Sequence, residues 1–437
     1  MLFYVSISCL FIFTRSRTCR YAKRVSLESK LALSLRRLPS LFLSPHPFTS
    51  TTKSFRGKST LFNALVRASL AAASNYPFCT IESQAAAVPV PDARLQRLAI
   101  LANSARAVPW ALEVRDIAGL IAGASKGEGL GNAFLADIRG VHAILQVVRC
   151  FESPDVIHVC DAPDPARDIA IIENELILAD AQSIEKRLPA ARKAAMSGKI
   201  PEAAAMLRLL ELVQPALEAG FPARAVLSSQ HSLDARDTIA WERLQLLTTK
   251  PMMYVLNVGE NDAAPGSENA LTRVAREAIA GRAAEQAAAS GGAGIKNNGT
   301  SAYSIVSVCA QVEAELALLP DGVERAELLS AYGLPRSGMD QLLEETAKLL
   351  RLHAYYTIGP TESRAWVIPD GATSAEAAGV IHSDMQKGYI KADVIGFAEL
   401  EKIGSEAKAK ELGLVRQEGK DYIVQSGDVM VFKFKAP

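Results

Sequence analysis

The tetrapeptide Gly-Lys-Ser-Thr at residues 57–60, which leads into a helix-forming stretch, most restricts what this chain can fold into. A glycine turn that opens a helix in this way is typical of a loop that binds phosphate. In such a loop the backbone wraps the phosphates, the lysine contacts the β- and γ-phosphates, and the next hydroxyl binds Mg²⁺. The residues in these three roles are Gly57, Lys58 and Ser59.

The first half of this loop departs from the pattern. The full motif is G-x-x-x-x-G-K-[ST], and its first glycine belongs at position 52, where the chain has Thr52. The strand that should precede such a loop is not evident in the sequence either. We therefore expect the sheet to lack its first strand, and the loop by itself identifies the fold only weakly.

A second motif, DIAGL at residues 116–120, ends an apolar stretch that predicts a strand from Ala111 to Asp116. Asp116 can hold Mg²⁺ through water, and Gly119 can present its N–H to a γ-phosphate. Thr80 lies between the two motifs, where a threonine would complete the Mg²⁺ shell. Many nucleotide hydrolases place a glutamine after this glycine to orient the attacking water, and Leu120 cannot do so.

A third motif, Asn-Val-Gly-Glu at residues 257–260, follows the apolar run that begins at Pro251. Proteins that bind GTP usually have N-K-x-D here, with an aspartate that accepts hydrogen bonds from guanine N1 and N2. Glu260 displaces that carboxylate, so selectivity for guanine should weaken. Backbone carbonyls can accept the N6 donor of adenine instead, and the motif therefore favours ATP over GTP.

The apolar runs alternate with helical stretches, which predicts an α/β fold with a parallel sheet. A long Leu-, Ala-, Glu- and Arg-rich segment predicts an antiparallel helical hairpin inserted at about 165–245. Short β-branched and aromatic segments with one helix around 375–386 predict a C-terminal β-grasp domain. The predicted organisation is an atypical basic start over 1–50, a P-loop domain over 51–350 and the β-grasp domain over 351–435.

Residues 1–56 differ in composition from the remainder, since they are rich in Ser, Arg and Leu and contain one acidic residue, Glu28. This composition fits a mitochondrial or plastid transit peptide. A start that is not native to the domain is the main alternative, and a secretory signal fits poorly because no basic residue precedes the apolar run. The net charge of +1 gives the chain no strong overall field for nucleic acid or membrane, and no later segment resembles a transmembrane span.

Two further groups of residues could in principle form chemical sites. His382 and Asp384 lie close together, but no nucleophile accompanies them, which favours a polar edge of a binding domain over a catalytic pair. The 6 cysteines show neither a C-x-x-C pair nor metal-ligand spacing. Buried, inert thiols in a reducing compartment are therefore expected.

Taken in order, these motifs resemble the Obg-like ATPases, the YchF group of translation-factor-class GTPases, and fit the bacterial or organellar branch. The resemblance covers roughly residues 57–434 and rests on NYPFCTIES, DIAGLIAGASKGEGLGNAFL, VVRCFE, KPMMYVLNVGE, SRAWVIPDGATSAEAAGVIHSDMQKGYIKADVI and GKDYIVQSGDVMVFKF. It implies an OBG-type G domain with a helical hairpin and a C-terminal TGS domain. It further implies an Mg²⁺-dependent ATPase with weak GTPase activity that binds ribosomes or their subunits, with RNA contacts through the TGS domain and the hairpin. A cytoplasmic location follows from the family, and a mitochondrial or plastid one if residues 1–50 are a transit peptide.

The resemblance also assigns roles to individual residues. Lys58 and Gly119 become catalytic, and Ser59, Thr80 and Asp116 become metal-binding. The residues that become nucleotide-binding are Phe55, Arg56, Gly57, Lys58, Ser59, Thr60, Asn257, Val258 and Glu260. In the family an asparagine at the position of Phe55 helps to hold a monovalent cation, K⁺, near the phosphates, and this chain lacks it.

Two other functions remain open at this point. Because the start of the loop is altered, the chain is also compatible with a non-enzymatic ribosome- or RNA-binding protein whose nucleotide site has decayed. An ordinary GTP-hydrolysing GTPase is the other alternative, and Glu260 disfavours it.

Overall fold

The computed structural model describes residues 10–15, 58–73, 81–82, 85–117, 138–152, 163–197, 202–226, 235–289, 303–320 and 322–435. These residues form two compact units. The larger unit holds the described residues up to 90, apart from the end of the first strand, and those from 112 to 350. The smaller unit holds residues 91–111 together with those from 351 onward.

The strands, in chain order, are β1 (Leu10–Arg15), β2 (Ile81–Glu82), β3 (Ala85–Pro89), β4 (Ala107–Val108), β5 (Ala111–Ile117), β6 (Ala143–Cys150), β7 (Met252–Val258), β8 (Ser304–Val308), β9 (Leu352–Thr357), β10 (Ser363–Pro369), β11 (Tyr389–Gly396), β12 (Arg416–Glu418) and β13 (Asp428–Phe434).

The α-helices, in chain order, are α1 (Lys58–Ala73), α2 (Ala93–Leu101), α3 (Pro165–Ser197), α4 (Ala203–Glu218), α5 (Ala235–Leu244), α6 (Ala270–Ala289), α7 (Ala310–Leu316), α8 (Val323–Ala331), α9 (Gly338–Leu349), α10 (Ser374–Ile381), α11 (Ser383–Lys387), α12 (Phe397–Ile403) and α13 (Glu406–Glu411). None of the helices in the described residues is both long enough and apolar enough to cross a membrane.

The larger unit is built on a seven-stranded sheet with the order β2-β3-β5-β1-β6-β7-β8. Strands β6, β7 and β8 are parallel, with Ile144 beside Met252 and Met253 beside Ser304. Every residue of β7 is buried and nearly every residue of β6 is, as continuous apolar runs require in a sheet covered on both faces. The prediction of a parallel α/β sheet is confirmed, and the carboxyl ends of these three strands meet at one edge.

The expectation of a missing first strand is wrong in one respect. Strand β1 lies between β5 and β6, and it pairs with β6 in the antiparallel direction, with Leu10 beside Gln146. Because β1 runs against β6, its carboxyl end lies at the edge opposite to the carboxyl ends of β6–β8. A gap in the sheet is therefore filled, but not by a strand that runs directly into the loop before Lys58.

Helices α3 and α4 form the predicted helical hairpin, with a core that includes Ile184, Leu209 and Val213. Asp180 on α3 is fully buried and accepts the backbone N–H groups of Leu247 at 2.9 Å and Thr248 at 2.7 Å. Burial raises the pKa of Asp180, and the hydrogen bonds from Thr248 act against this rise. The carboxylate thereby fastens the hairpin to the segment that leads into β7.

The smaller unit contains a six-stranded sheet with the order β12-β11-β13-β9-β10-β4. The antiparallel hairpin β9–β10, the parallel neighbours β9 and β13, and the packed helix α10 are the elements of a β-grasp fold. The helix predicted around 375–386 is divided in two at His382, which caps α11.

Residues 91–111 join this smaller unit, although the predicted boundary placed them in the P-loop domain. Tyr356 donates a hydrogen bond to Asp92, and Ser104 Oγ lies 2.7 Å from Ser363 Oγ. β4 adds a parallel edge strand beside β10. Sequence periodicity identifies a strand or a helix but not the sheet it joins, so this exchange could not be predicted.

Candidate nucleotide-binding site

An ion pair marks the start of α1. Lys58 is the first residue of the helix, and its Nζ lies 2.8 Å from Oδ1 of Asp116 at the end of β5. The side chains are 8% and 21% exposed, respectively. The structure thus brings together the lysine of the first motif and the aspartate of the second.

The same helix end offers an electrostatic setting for an anion. The first backbone N–H groups of a helix have no partner within it, and the helix dipole places partial positive charge there. Ser59 and Thr60 occupy the first turn, which contains no acidic residue. Lys58 adds a full positive charge at the same end, so a phosphate group suits this position.

A cavity of about 930 Å³ lies at the carboxyl edge of β6, β7 and β8. It is lined by residues from α1 and from the segments that follow each of these strands, including Thr60, Phe151, Asn257, Val258, Glu260 and Gln311. Open α/β sheets bind ligands at this edge. The first and third motifs, far apart in sequence, therefore border one cavity large enough for a nucleotide.

Asn257 joins two walls of this cavity. Its side chain is buried, and its Oδ1 accepts the backbone N–H of Ala310 at 3.1 Å. Ala310 begins α7 directly after β8, and Cys309, Ala310 and Gln311 all line the cavity. The sequence analysis did not select these three residues. They follow the end of a predicted strand as Asn257–Glu260 do, and that placement was the available signal.

Glu260 lines the cavity. It begins a short 3₁₀ turn, Glu260–Asp262, that follows β7, and its side chain is exposed. An exposed carboxylate on a turn keeps its charge in contact with water, so it is available to a ligand without the cost of burying a charge.

Comparisons with known proteins cover most of the chain. A family model described as a 50S ribosome-binding GTPase matches residues 54–186, and a YchF-GTPase C-terminal model, described as a protein of unknown function, matches residues 352–435. Proteins named ribosome-binding ATPase YchF from Bacillus subtilis and Haemophilus ducreyi are 42% and 44% identical to this chain. Each alignment spans 378 residues, which is 86% of this chain and 96% of the relative. The chain belongs to the YchF family.

A solved structure of the Schizosaccharomyces pombe YchF GTPase supports the same assignment. It is 31% identical, with a TM-score of 0.71, and the match covers 86% of this chain and 94% of that one. The predicted YchF resemblance and the predicted combination of a P-loop G domain with a C-terminal β-grasp domain are confirmed.

Several of the residues predicted from the YchF motifs lie outside the described residues. They are Phe55, Arg56, Gly57, Thr80 and Gly119. Their roles therefore stay predictions. Leu120 also lies outside the described part of the chain.

The residues that are described fit a hard cation beside a phosphate. Asp116 Oδ1 is buried and has no hydrogen-bond partner within the described residues, so the Lys58 cation is its electrostatic partner there. Ser59, the second residue of α1, offers a hydroxyl, and Mg²⁺ takes carboxylate and hydroxyl oxygens as ligands. No group of three or more His, Cys, Asp or Glu side chains suited to a metal occurs in the described residues. A metal held mainly by a nucleotide's own phosphates needs no such cage.

Two cysteines near the site have thiols of low reactivity. Cys150 and Cys309 are both buried and free. Burial raises the pKa of Cys150 to about 12, and burial likewise raises the pKa of Cys309. Because the thiolate is the reactive form, both groups are poor nucleophiles at neutral pH, as expected of inert thiols.

The His382 and Asp384 pair has a local structural role. His382 Nδ1 accepts the backbone N–H of Asp384 at 3.2 Å and so caps α11. His382 is exposed and Asp384 is half-buried. Capping accounts for the imidazole without any catalytic function.

Proposed function

We propose that this chain binds ATP together with Mg²⁺ and hydrolyses it as a ribosome-associated protein. The observation that carries the proposal is the Lys58–Asp116 ion pair, because a lysine and an acid meet at the start of α1, the helix whose Thr60 lines a nucleotide-sized cavity. The names of the curated relatives, ribosome-binding ATPases, point to the same activity and partner.

The phosphates take the place of Asp116 as the partner of Lys58. The ammonium group binds the β- and γ-phosphates, while the N–H groups of the first turn of α1 bind the remaining oxygens, with Thr60 in contact. Residues 55–57 complete the loop around the phosphates, and Gly119 presents its N–H to the γ-phosphate. This exchange frees the carboxylate of Asp116, which was paired with the lysine.

Once its carboxylate is free of Lys58, Asp116 would hold Mg²⁺ together with neighbouring residues. Ser59 would contribute its hydroxyl, Asp116 would act through water, and Thr80 would complete the protein contribution. When bound, the ion supplies positive charge that stabilises the charge developing on the phosphates. Phe55 has no side-chain oxygen to offer K⁺, so a dependence on K⁺ would have to use other groups.

The base end of the cavity favours adenine. Val258 and the segment around Ala310 form the wall, and Asn257 holds both in place through its hydrogen bond. Backbone carbonyls of this wall accept the N6 donor of adenine. The carboxylate of Glu260 is displaced from the position that reads guanine.

Slow turnover follows from Leu120, which cannot orient water. We propose that the ribosome stimulates hydrolysis by supplying the group that orients the attacking water. RNA contacts are proposed for the C-terminal unit and for the hairpin of α3 and α4.

We place the protein in the cytoplasm by family, or in mitochondria or plastids if residues 1–50 act as a transit peptide. The predicted outline of residues 51–350 and 351–435 as G and TGS domains is kept, with 91–111 exchanged as the contacts indicate.

The test is phosphate release from ATP by the full chain, with and without ribosomes, together with co-sedimentation. The wild type should hydrolyse ATP slowly and faster with ribosomes. Lys58→Ala should abolish hydrolysis, whereas Lys348→Ala, at an exposed ion pair, should leave it unchanged. Absence of ribosome-stimulated hydrolysis by the wild type would contradict the proposal.

A second candidate function is favoured by β1. A first strand that runs antiparallel to β6 does not deliver the chain to the phosphate loop as a parallel strand would. A ribosome-binding protein with a decayed nucleotide site would retain co-sedimentation while Lys58→Ala changed neither sedimentation nor phosphate release.

A further inference from the structure

The side chain of Asn269 ties the loop that carries Glu260 to the end of β6. This loop leaves β7 at Gly259, passes through the 3₁₀ turn Glu260–Asp262 and reaches α6 at Ala270. Asn269 is the residue before that helix, and it lines the cavity together with Asp262. Its position allows it to connect the loop to the rest of the sheet.

The amide of Asn269 is engaged on both of its ends. Its Oδ1 accepts the backbone N–H of Thr272 at 2.8 Å, which caps α6. Its Nδ2 donates to the carbonyl of Cys150 at 2.9 Å and to Oδ2 of Asp262 at 2.7 Å. The orientation of the amide is settled by these partners, because a carbonyl and a carboxylate accept and a backbone N–H donates.

The two donated hydrogen bonds join two segments that line the cavity. Cys150 is the last residue of β6, and the next residues, Phe151 and Glu152, line one wall. Asp262 is the last residue of the turn that begins at Glu260 on another wall. Beyond the backbone pairing of β6 and β7, one amide group therefore holds the turn that carries Glu260 to the end of β6.

We propose that Asn269 is a positioning residue that sets the preference for ATP over GTP. This inference rests on the proposed function and adds to it a determinant of base selectivity. By holding the turn against β6, Asn269 keeps the carboxylate of Glu260 away from the position that accepts hydrogen bonds from guanine N1 and N2. Release of the turn gives Glu260 access to that position and loosens the wall around adenine.

The charge of the loop strengthens this expectation. Glu260 and Asp262 are close in sequence and both acidic, and the amide N–H groups are neutral donors that stabilise the second carboxylate. A carboxylate in place of the amide repels Asp262 and offers nothing to the Cys150 carbonyl. The helix cap survives that change, because an oxygen still accepts the N–H of Thr272.

A pair of variants separates positioning from stability. Asn269→Asp keeps the cap and loses both donated hydrogen bonds, whereas Thr272→Val removes the hydroxyl that lies 2.9 Å from the Asn269 nitrogen and keeps the donated bonds. Calorimetry on the full chain with Mg²⁺ would give the dissociation constants of ATP and GTP. Asn269→Asp should reduce the ratio of the GTP dissociation constant to the ATP dissociation constant by about tenfold. The reason is that two hydrogen bonds, each with a modest net contribution, are lost.

Thr272→Val should lower the thermal midpoint and leave that ratio unchanged. Adding Asp262→Asn to Asn269→Asp should restore part of the ratio, because the new amide can donate to the new carboxylate. An unchanged ratio in Asn269→Asp, or equal losses of affinity for both nucleotides, would overturn the inference while leaving the proposed function intact. A wild type that binds neither nucleotide would overturn both.

Discussion

The two ends of the candidate site are built in different ways. At the base end, parallel strands β6, β7 and β8 finish at one edge. The segments that follow them are fixed by a hydrogen bond that Asn257 accepts and one that Asn269 donates. At the phosphate end, α1 begins at an ion pair, and the neighbouring strand β1 runs antiparallel to β6.

Under the proposed function, this difference separates nucleotide recognition from catalysis. Base recognition would depend on a part of the sheet whose register is set by buried apolar residues. Phosphate binding would depend mainly on a few charges and the start of one helix. A chain with this architecture should discriminate between bases even where its hydrolysis is slow, so changes at the two ends should affect different measured quantities.

The largest effect is expected at the phosphate end. Asp116→Asn should lower the apparent affinity for Mg²⁺ in the presence of ATP by about 10- to 100-fold, as expected for a group that holds a metal through water. The ratio of GTP to ATP affinity should stay the same. Titration of Mg²⁺ at fixed ATP measures the first quantity. Asp237→Asn, which changes an ion pair on α5, is the matched control and should leave both quantities unaltered.

The next effect is expected at the base end. Asn257→Ala removes the acceptor for the Ala310 N–H and leaves that donor unpaired beside the cavity. ATP should bind about tenfold more weakly, and the free energy of unfolding should fall by about 1–2 kcal/mol. Calorimetry measures the ATP affinity, and chemical denaturation measures the free energy of unfolding. Loss of Mg²⁺ dependence without loss of affinity would refute the assignment of this residue to the base end. Ser307→Ala, at an exposed position on β8, should change neither.

A smaller effect on GTP affinity is expected when the side chain of Glu260 is shortened by one methylene group. Glu260→Asp restores the N-x-x-D spacing that reads guanine, so GTP should bind severalfold more tightly, a change on the order of 1 kcal/mol. Competition between the two nucleotides would show it. The control is Glu268→Asp, on the same loop but outside the cavity lining. Equal behaviour of the two variants would exclude Glu260 as a determinant of base selectivity.

The smallest effect concerns the buried thiols. Burial raises the pKa of Cys309, so its alkylation rate should keep rising with pH above the range in which an ordinary thiol levels off. ATP should slow the reaction at Cys309 a fewfold because this residue lines the cavity, and should leave Cys150 unaffected. Mass spectrometry of iodoacetamide adducts across a pH series would measure both sites. Equal protection of the two thiols would contradict the placement of the base.

The sequence predicted the base end better than the phosphate end for a physical reason. Buried parallel strands need continuous apolar runs, so β6, β7 and β8 were recognisable, and residues that follow such strands lie at the ligand-binding edge. The contact between Lys58 and Asp116 could be anticipated from motif order. The position of β1 could not, because its partner strand is distant in sequence and short apolar runs do not encode direction. Asn269 also escaped prediction, since a loop asparagine looks like any helix cap until its partners are known.

The measurement that tests the central claim most directly is paired calorimetry of ATP and GTP binding to the full chain with Mg²⁺. We expect ATP to bind at least about tenfold more tightly than GTP, a difference of about 1.4 kcal/mol. Lys58→Ala should weaken the binding of both nucleotides by the same factor. GTP binding equal to or tighter than that of ATP would contradict the proposed preference for ATP.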